Sequence, residues 1–132
     1  MVIDTSAILA VLLDEDDSPA IRRAIEGDPN RLLSAASLLE TAIVIESRFG
    51  EPGGRELDLF LYRSGIEIAP VDRDQVEIAR EGFRRFGKGR HPASLNFGDC
   101  FTYALSRMRG EPICFKGTDF SKTDADIVVA KE

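Results

Sequence analysis

The chain has no tryptophan, one histidine and two cysteines in 132 residues. One histidine rules out any mechanism that needs two. His91 sits in "GKGRHPAS", with no nucleophile elbow in view to complete a Ser-His-Asp triad. Cys100 and Cys114 form no CxxC pair and have no histidine cluster beside them, which argues against a zinc site. Both fall in apolar segments and read as small buried hydrophobes. No apolar run is long enough to span a bilayer. The start, "MVIDTSAILAVLLDEDD", has no basic n-region and reaches acid quickly. It therefore reads as no secretory signal, and a cytoplasmic address is expected. Net positive charge is missing as well: 17 Lys and Arg stand against 23 Asp and Glu, a net of −6. Alone, this weighs against a nucleic-acid partner. It weighs less if the acids surround a divalent cation, which neutralises them and attracts phosphate.

What remains is an ordinary globular composition, 43% hydrophobic and 30% charged, in a length that suits one domain over residues 1–132. "MVID" reads as a strand that runs into a helix, "TSAILAVLLDE". Ser18 and Pro19 mark the cap and first position of a second helix, which Gly27 closes. "RLLS" is a second strand. Helices follow from Ser37 to about Phe49, ending at Gly50, and over "PGGRELDLFLYRSG". "IEIAPV" is a third strand, ended by Pro70. "DRDQVEIAREGFRRFG" is a helix with Val76, Ala79, Phe83 and Phe86 on one stripe. "SLNFGDCFTYALSRMRG" is a helix capped by Asn96 and stopped by Gly110, with Phe97, Phe101, Leu105 and Met108 on its apolar side. Helical spacing assigns Phe97 to the core; a stacking surface is the other reading. "EPICFKGTDF" holds a fourth strand and "DADIVV" a fifth. Alternating strands and helices predict an α/β fold with a mostly parallel sheet.

Open α/β sheets bind ligands at the carboxyl edge of their strands. Four acids project there. Asp4 ends the first strand, Glu40 lies in the first turn after the second, and Asp99 lies in the first turn of the helix feeding the fourth. Asp119 follows the fourth strand directly. Each has a plain structural reading. Asp4 caps a helix, Ser37 and Glu40 form a capping box, Asn96 and Asp99 have similar spacing, and Asp119 forms an Asx turn. None of these explains why the four converge. Converging carboxylates repel and raise one another's pKa values, so a cation normally holds them together. All-oxygen ligands suit Mg²⁺ or Mn²⁺, and the chemistry that fits is phosphodiester hydrolysis.

The segments "MVIDTSAIL" with Asp4, "SLLETAIVIE" with Glu40, "LNFGDCFTYALS" with Asp99 and "FKGTDFSKTD" with Asp119 resemble the motifs of PIN-domain ribonucleases. In particular they resemble the VapC-type toxins of toxin–antitoxin pairs. "RFGEPGGRELD" and "GKGRHPASLNFGDC" are similar to a VapC subgroup, so the resemblance covers essentially the whole chain. It implies a PIN-like three-layer fold with a parallel sheet of about five strands flanked by helices. It implies a Mg²⁺- or Mn²⁺-dependent endoribonuclease, with Asp4 and Asp99 as the main metal ligands and Glu40 and Asp119 completing the acidic pocket. Thr5, Ser6 and Thr118 stand beside those acids as supporting hydroxyls. Asp124 reads as a helix cap or surface charge.

Arg84, Arg85, Lys88 and Arg90, with His91, form a local basic patch in an acidic chain and are the expected RNA contacts. The helix from Ser37 is apolar almost all round, through Leu38, Leu39, Ala42, Ile43, Val44, Ile45 and Phe49. With Leu57, Leu59, Phe60 and Leu61 it offers more apolar surface than one sheet covers, so a C₂ homodimer is expected. A free endoribonuclease needs restraint, and a cognate VapB-like antitoxin is the expected inhibitor. Its amphipathic segment would lie on the apolar helices and carry an Arg or Lys into the acidic pocket. The competing readings are another Mg²⁺-dependent phosphatase, which would want an acid where Ser6 stands, and a catalytically silent interaction protein.

Overall fold

The computed structural model describes residues 1–128. Four short parallel strands form its sheet in the order β3-β2-β1-β4. They are β1 (Val2–Ile3), β2 (Leu32–Ser34), β3 (Glu67–Ala69) and β4 (Ile113–Cys114). Helices α1 (Thr5–Leu12), α2 (Ser18–Glu26) and α3 (Ala35–Arg63) separate the first three strands. Helices α4 (Arg73–Phe86) and α5 (Phe97–Arg109) separate β3 from β4. The expected fifth strand is reduced to one parallel bridge, Ile113 to Ile127. The Ile113 N–H donates to the Asp126 carbonyl and the Val128 N–H to the Ile113 carbonyl, at 2.9 and 2.8 Å. The last residue of the expected strand, Val129, lies outside the described residues.

The strands alternate their side chains between two apolar layers. Ile3, Leu33 and Cys114 pack under α1, α2 and the second half of α3. Val2 and Leu32 meet Leu105, and Ile113 meets Tyr103 and Ala104, on the side covered by α4 and α5. The sheet is therefore the middle of three layers. Cys100 and Cys114 are free and buried, and burial pushes both thiols up to about 11. They pack as the apolar fillers that their surroundings predict.

Two boundaries shift from the sequence reading. Asp17 occupies the cap position of α2, so Ser18 and Pro19 are its first two residues. Ser34, whose hydroxyl accepts from the Ala36 N–H, caps α3, so the helix starts ahead of Ser37. Ser37 and Glu40 thus form no capping box, and Glu40 sits in the second turn. The helix breaks once, at Gly50, where φ is 67° and ψ −160°. This is the expected division into two helical halves. They pack tightly, because a Cβ on Gly53 would stand 2.8 Å from Ile45 Cγ2.

The apolar stripes of α4 and α5 are only partly internal. Phe97 is 81% exposed, which corrects its assignment to the core, and Val76, Phe83 and Met108 are also exposed. The buried arc of α5 instead runs through Cys100, Thr102, Tyr103, Ala104, Leu105 and Ser106. The helix is rotated so that two hydroxyl residues face inward, and the reason lies at the site. No helix among the described residues is long and apolar enough to cross a membrane.

Candidate active site

Asp4 stands where β1 passes into α1, at the carboxyl edge of the sheet, and is 5% exposed. It caps α1: Oδ2 accepts from the Ser6 N–H at 3.0 Å and from the Ser6 hydroxyl at 2.7 Å. Its other oxygen, Oδ1, accepts from the Thr102 hydroxyl of α5 at 2.6 Å. Ser6 in turn accepts from the Lys116 N–H at 3.0 Å, which ties the site to the exit of β4. Capping and site membership are thus one geometry, not alternatives.

Asp99 and Asn96 close a complete capping box at the start of α5. The Asn96 side chain accepts from the Asp99 N–H, and Asp99 Oδ2 accepts from the Asn96 N–H at 3.0 Å. The box brings Asp99 to the sheet edge occupied by Asp4. Its carboxyl is pushed up to about 6. Burial is the main cause; the Asn96 N–H opposes it, and the negative charges of Asp4, Asp119 and Glu40 add to it. Asp99 therefore feels all three other acids.

Glu40 reaches the same helix end across Gly98. A Cβ on Gly98 would overlap the Glu40 carboxylate, so this approach requires glycine. Asp119 is exposed at the entry of a 3₁₀ turn, Phe120–Lys122, in αR conformation and without a side-chain capping bond. The expected Asx turn is not formed.

The other predicted residues divide. Ser6 bonds Asp4 directly. Thr5 does not: its hydroxyl donates to the Ser37 carbonyl at 3.2 Å and accepts from Thr41 at 3.0 Å, beneath the site. Thr118 is exposed, and its carbonyl accepts from the Ser121 hydroxyl. In the basic patch, Arg84 pairs with Glu81 at 2.9 Å, and Arg85 pairs with Asp124 at 3.1 Å while stacking over Phe86. Arg90 lies over the Phe83 ring, and Lys88 is exposed. Asp124 is an ion-pair centre rather than a helix cap. It also takes Arg107 and accepts from the Tyr103 hydroxyl at 2.8 Å. Burial opposes its charge, but Tyr103, Arg107 and Arg85 outweigh this and hold its carboxyl below the ordinary value. His91 accepts from the Ala93 N–H and packs edge-on against Phe86, a structural role.

Thr102 and Gly98 were not picked out from sequence. Thr102 follows Asp99 by three positions, so both occupy one face of α5. A threonine in the otherwise aromatic and aliphatic run "FTYAL" is the available signal.

The donor set is all carboxylate and hydroxyl oxygen, which matches a hard divalent cation. Among the described residues no three acidic, histidine or cysteine side chains stand close enough to enclose an ion. Mg²⁺ usually takes one or two carboxylates and keeps its waters, so two carboxylates would be enough to hold it.

The PIN domain family model matches residues 1–126. The chain belongs to the PIN domain family, among the VapC ribonucleases. A ribonuclease VapC of Mycolicibacterium smegmatis is 58% identical over 128 residues, which span 97% of this chain and 99% of that protein. Ribonuclease VapC30 of Mycobacterium tuberculosis strain H37Rv is 56% identical over 124 residues, 94% of this chain and 95% of that one. Among solved structures, M. tuberculosis VapC20, described as a sarcin-ricin loop cleaving toxin, superposes with a TM-score of 0.77 at 20% identity. The match covers 96% of this chain and 97% of VapC20. A toxin–antitoxin complex from Klebsiella pneumoniae gives 0.70 at 18% identity, covering 99% of this chain and 98% of that one. At those identities the two structures speak for the fold alone. This PIN domain is a ribonuclease by family, and its sheet, layers and strand direction agree with its structural neighbours.

Asp99 has a consequence for stability. Its ordinary value is 3.8 and its folded value about 6, so the folded PIN domain binds that proton more tightly than the unfolded chain does. Stability without metal therefore falls as pH rises from about 4 to about 6. Asp99→Asn lacks this loss and keeps an oxygen to accept from the Asn96 N–H. Above pH 6 in EDTA the variant should be more stable than the parent by about 1–2 kcal/mol, discounted for partial exposure, with the gap closing near pH 4. Urea unfolding at both pH values checks it. A gap independent of pH contradicts it.

Proposed function

We propose that this chain is the toxin of a type II toxin–antitoxin pair and an endoribonuclease dependent on Mg²⁺ or Mn²⁺. Asp4 and Asp99 hold the ion, and Glu40 and Asp119 complete the acidic pocket. The observation that carries this reading is the meeting of acids from four separate segments at one sheet edge: Asp99 is capped there beside Asp4, Glu40 closes on Gly98, and the charges of Asp4, Asp119 and Glu40 add to burial in raising the Asp99 carboxyl. The 56–58% identical relatives are named as VapC ribonucleases, which supports RNA as the substrate class. An ion held by Asp4 and Asp99 would supply positive charge able to polarise a phosphoryl oxygen and to lower the pKa of water. Asp4, held by three hydrogen bonds, offers an oxygen in a fixed direction. Glu40, pressed on Gly98, and the exposed Asp119 would accept hydrogen bonds from water in the pocket and orient it. Lys88 and Arg90 supply exposed positive charge on the rim of the patch, while Arg84 and Arg85 first have to exchange their carboxylate partners for phosphate.

Single-stranded RNA incubated with the purified chain should be cut with Mg²⁺ or Mn²⁺, remain whole in EDTA, and be cut again when metal is restored. Asp99→Asn should lower the rate by at least about a hundredfold, because it removes a ligand charge where none can be replaced. Undiminished cleavage in EDTA, or by the variant, would refute the metal reading.

The partners follow from exposed apolar surface. Leu39 and Ile43 are 63% and 57% exposed on the first half of α3, which suits a second copy of the chain across a C₂ axis. Leu12, Ile45, Phe49, Pro52 and Gly53 line a groove of about 320 Å³ at the α3 kink, which suits an amphipathic antitoxin segment. Light scattering on the chain alone should return the mass of two 14.5 kDa chains. Expression with the adjacent small open reading frame should give a larger, co-purifying complex and relieve growth arrest. A monomer, or arrest that the neighbour does not relieve, removes the corresponding partner.

A further inference from the structure

The reading of Asp4 as a metal ligand leaves open which of its oxygens is available. An ionised carboxylate has about four lone-pair positions, two on each oxygen. The Ser6 N–H and hydroxyl occupy both positions on Oδ2. The Thr102 hydroxyl occupies one on Oδ1. One position remains, and it is on Oδ1. The shortest of the three bonds, at 2.6 Å, falls on that same oxygen. Thr102 is wholly buried, and the bond joins residues 98 apart in sequence, so it sets the distance between α5 and β1 at the site.

The proton order is fixed as well. A carboxylate only accepts, so the single Thr102 proton points at Asp4. The Ser37 hydroxyl, 3.4 Å from Thr102 Oγ1, must then be the donor in that pair. Ser37, Thr102 and Asp4 are 2%, 0% and 5% exposed, so water does not substitute for a lost member. Beneath them the Thr41 hydroxyl shares its one proton between the Ser37 carbonyl, at 2.7 Å, and the Thr5 hydroxyl, at 3.0 Å, and holds the start of α3 in place.

We propose that Thr102, oriented by Ser37, is a positioning residue that makes Asp4 a one-oxygen metal ligand through Oδ1. This rests on the metal reading given above. Its alternative is that Thr102 only fills space, which an isosteric valine would do equally well. Thr102 also explains the rotation of α5: its inward turn exposes Phe97 and delivers a hydroxyl to Asp4.

The test is Mn²⁺ binding by the full chain without RNA, followed by the loss of the free-ion paramagnetic resonance signal. Thr102→Val should weaken binding by about 10- to 100-fold, as loss of an outer hydrogen bond to a ligand does. Thr102→Ser keeps the hydroxyl and should stay within about threefold of the parent. Ser37→Ala should weaken binding several-fold with circular dichroism unchanged. Parent-like affinity in Thr102→Val, or equal losses in the valine and serine variants, would overturn the proposal while leaving the metal site intact. If Thr102→Val does not fold, parent-like affinity in a folded Ser37→Ala overturns it. A parent chain that binds no Mn²⁺ overturns the metal reading and this proposal together.

Discussion

A carboxylate buried at the end of the first strand constrains the rest of this structure. An unpaired charge at that depth costs several kcal/mol. Asp4 avoids most of this because donors come to it from two directions. Ser6 supplies two of them through the geometry of a helix cap, and Thr102 supplies the third from the far side of the sheet edge. A bond from a hydroxyl to a charged acceptor contributes about 1.5–3 kcal/mol, and losing one at such a site leaves the charge unsatisfied. The placement of α5 follows. The helix must present Thr102 to Asp4, so its inward arc includes Thr102 and Ser106 while Phe97 faces water.

The same rotation brings Asp99 to Asp4, and the site then works against stability. Asp99 comes within range of the other three acids, and burial, with their negative charge added, raises its carboxyl to about 6. A fold selected only for stability would not keep that arrangement, and such conflicts mark functional sites. Two features maintain it. The capping box holds Asp99 through hydrogen bonds that form whether or not the repulsion is relieved. Gly98 gives Glu40 the room to approach the helix end. A cation bound there would convert this repulsion into binding energy.

Much of this was legible in the sequence. Short apolar runs mark the four strands, and the Asn96–Asp99 spacing marks the start of α5. The order of the acids marks the site. The misreadings have physical causes. Ser34 and Ser37 are both good caps, and only the end of β2 decides between them. Phe97 fits a helical stripe, but a stripe does not say which arc of the helix faces the sheet. Arg84 and Arg85 look free in sequence, whereas Glu81 and Asp124 take them up in the fold. Thr102 and Gly98 depend on partners 98 and 58 positions away, Asp4 and Glu40, so local pattern carries almost none of their signal. The fifth strand shrinks to a bridge because only Ile113 pairs with it among the described residues.

Burial and the other acids hold Asp99 at a raised pKa, and a bound divalent ion would relieve it. Carbon-13 NMR of the Asp99 side-chain carboxyl, titrated from pH 3 to pH 8, measures this directly. Without metal the midpoint should lie at about 6. With saturating Mg²⁺ it should fall by more than about one unit, because the cation favours the charged form. A midpoint near the ordinary 3.8 without metal, or one that Mg²⁺ leaves unmoved, would contradict the account.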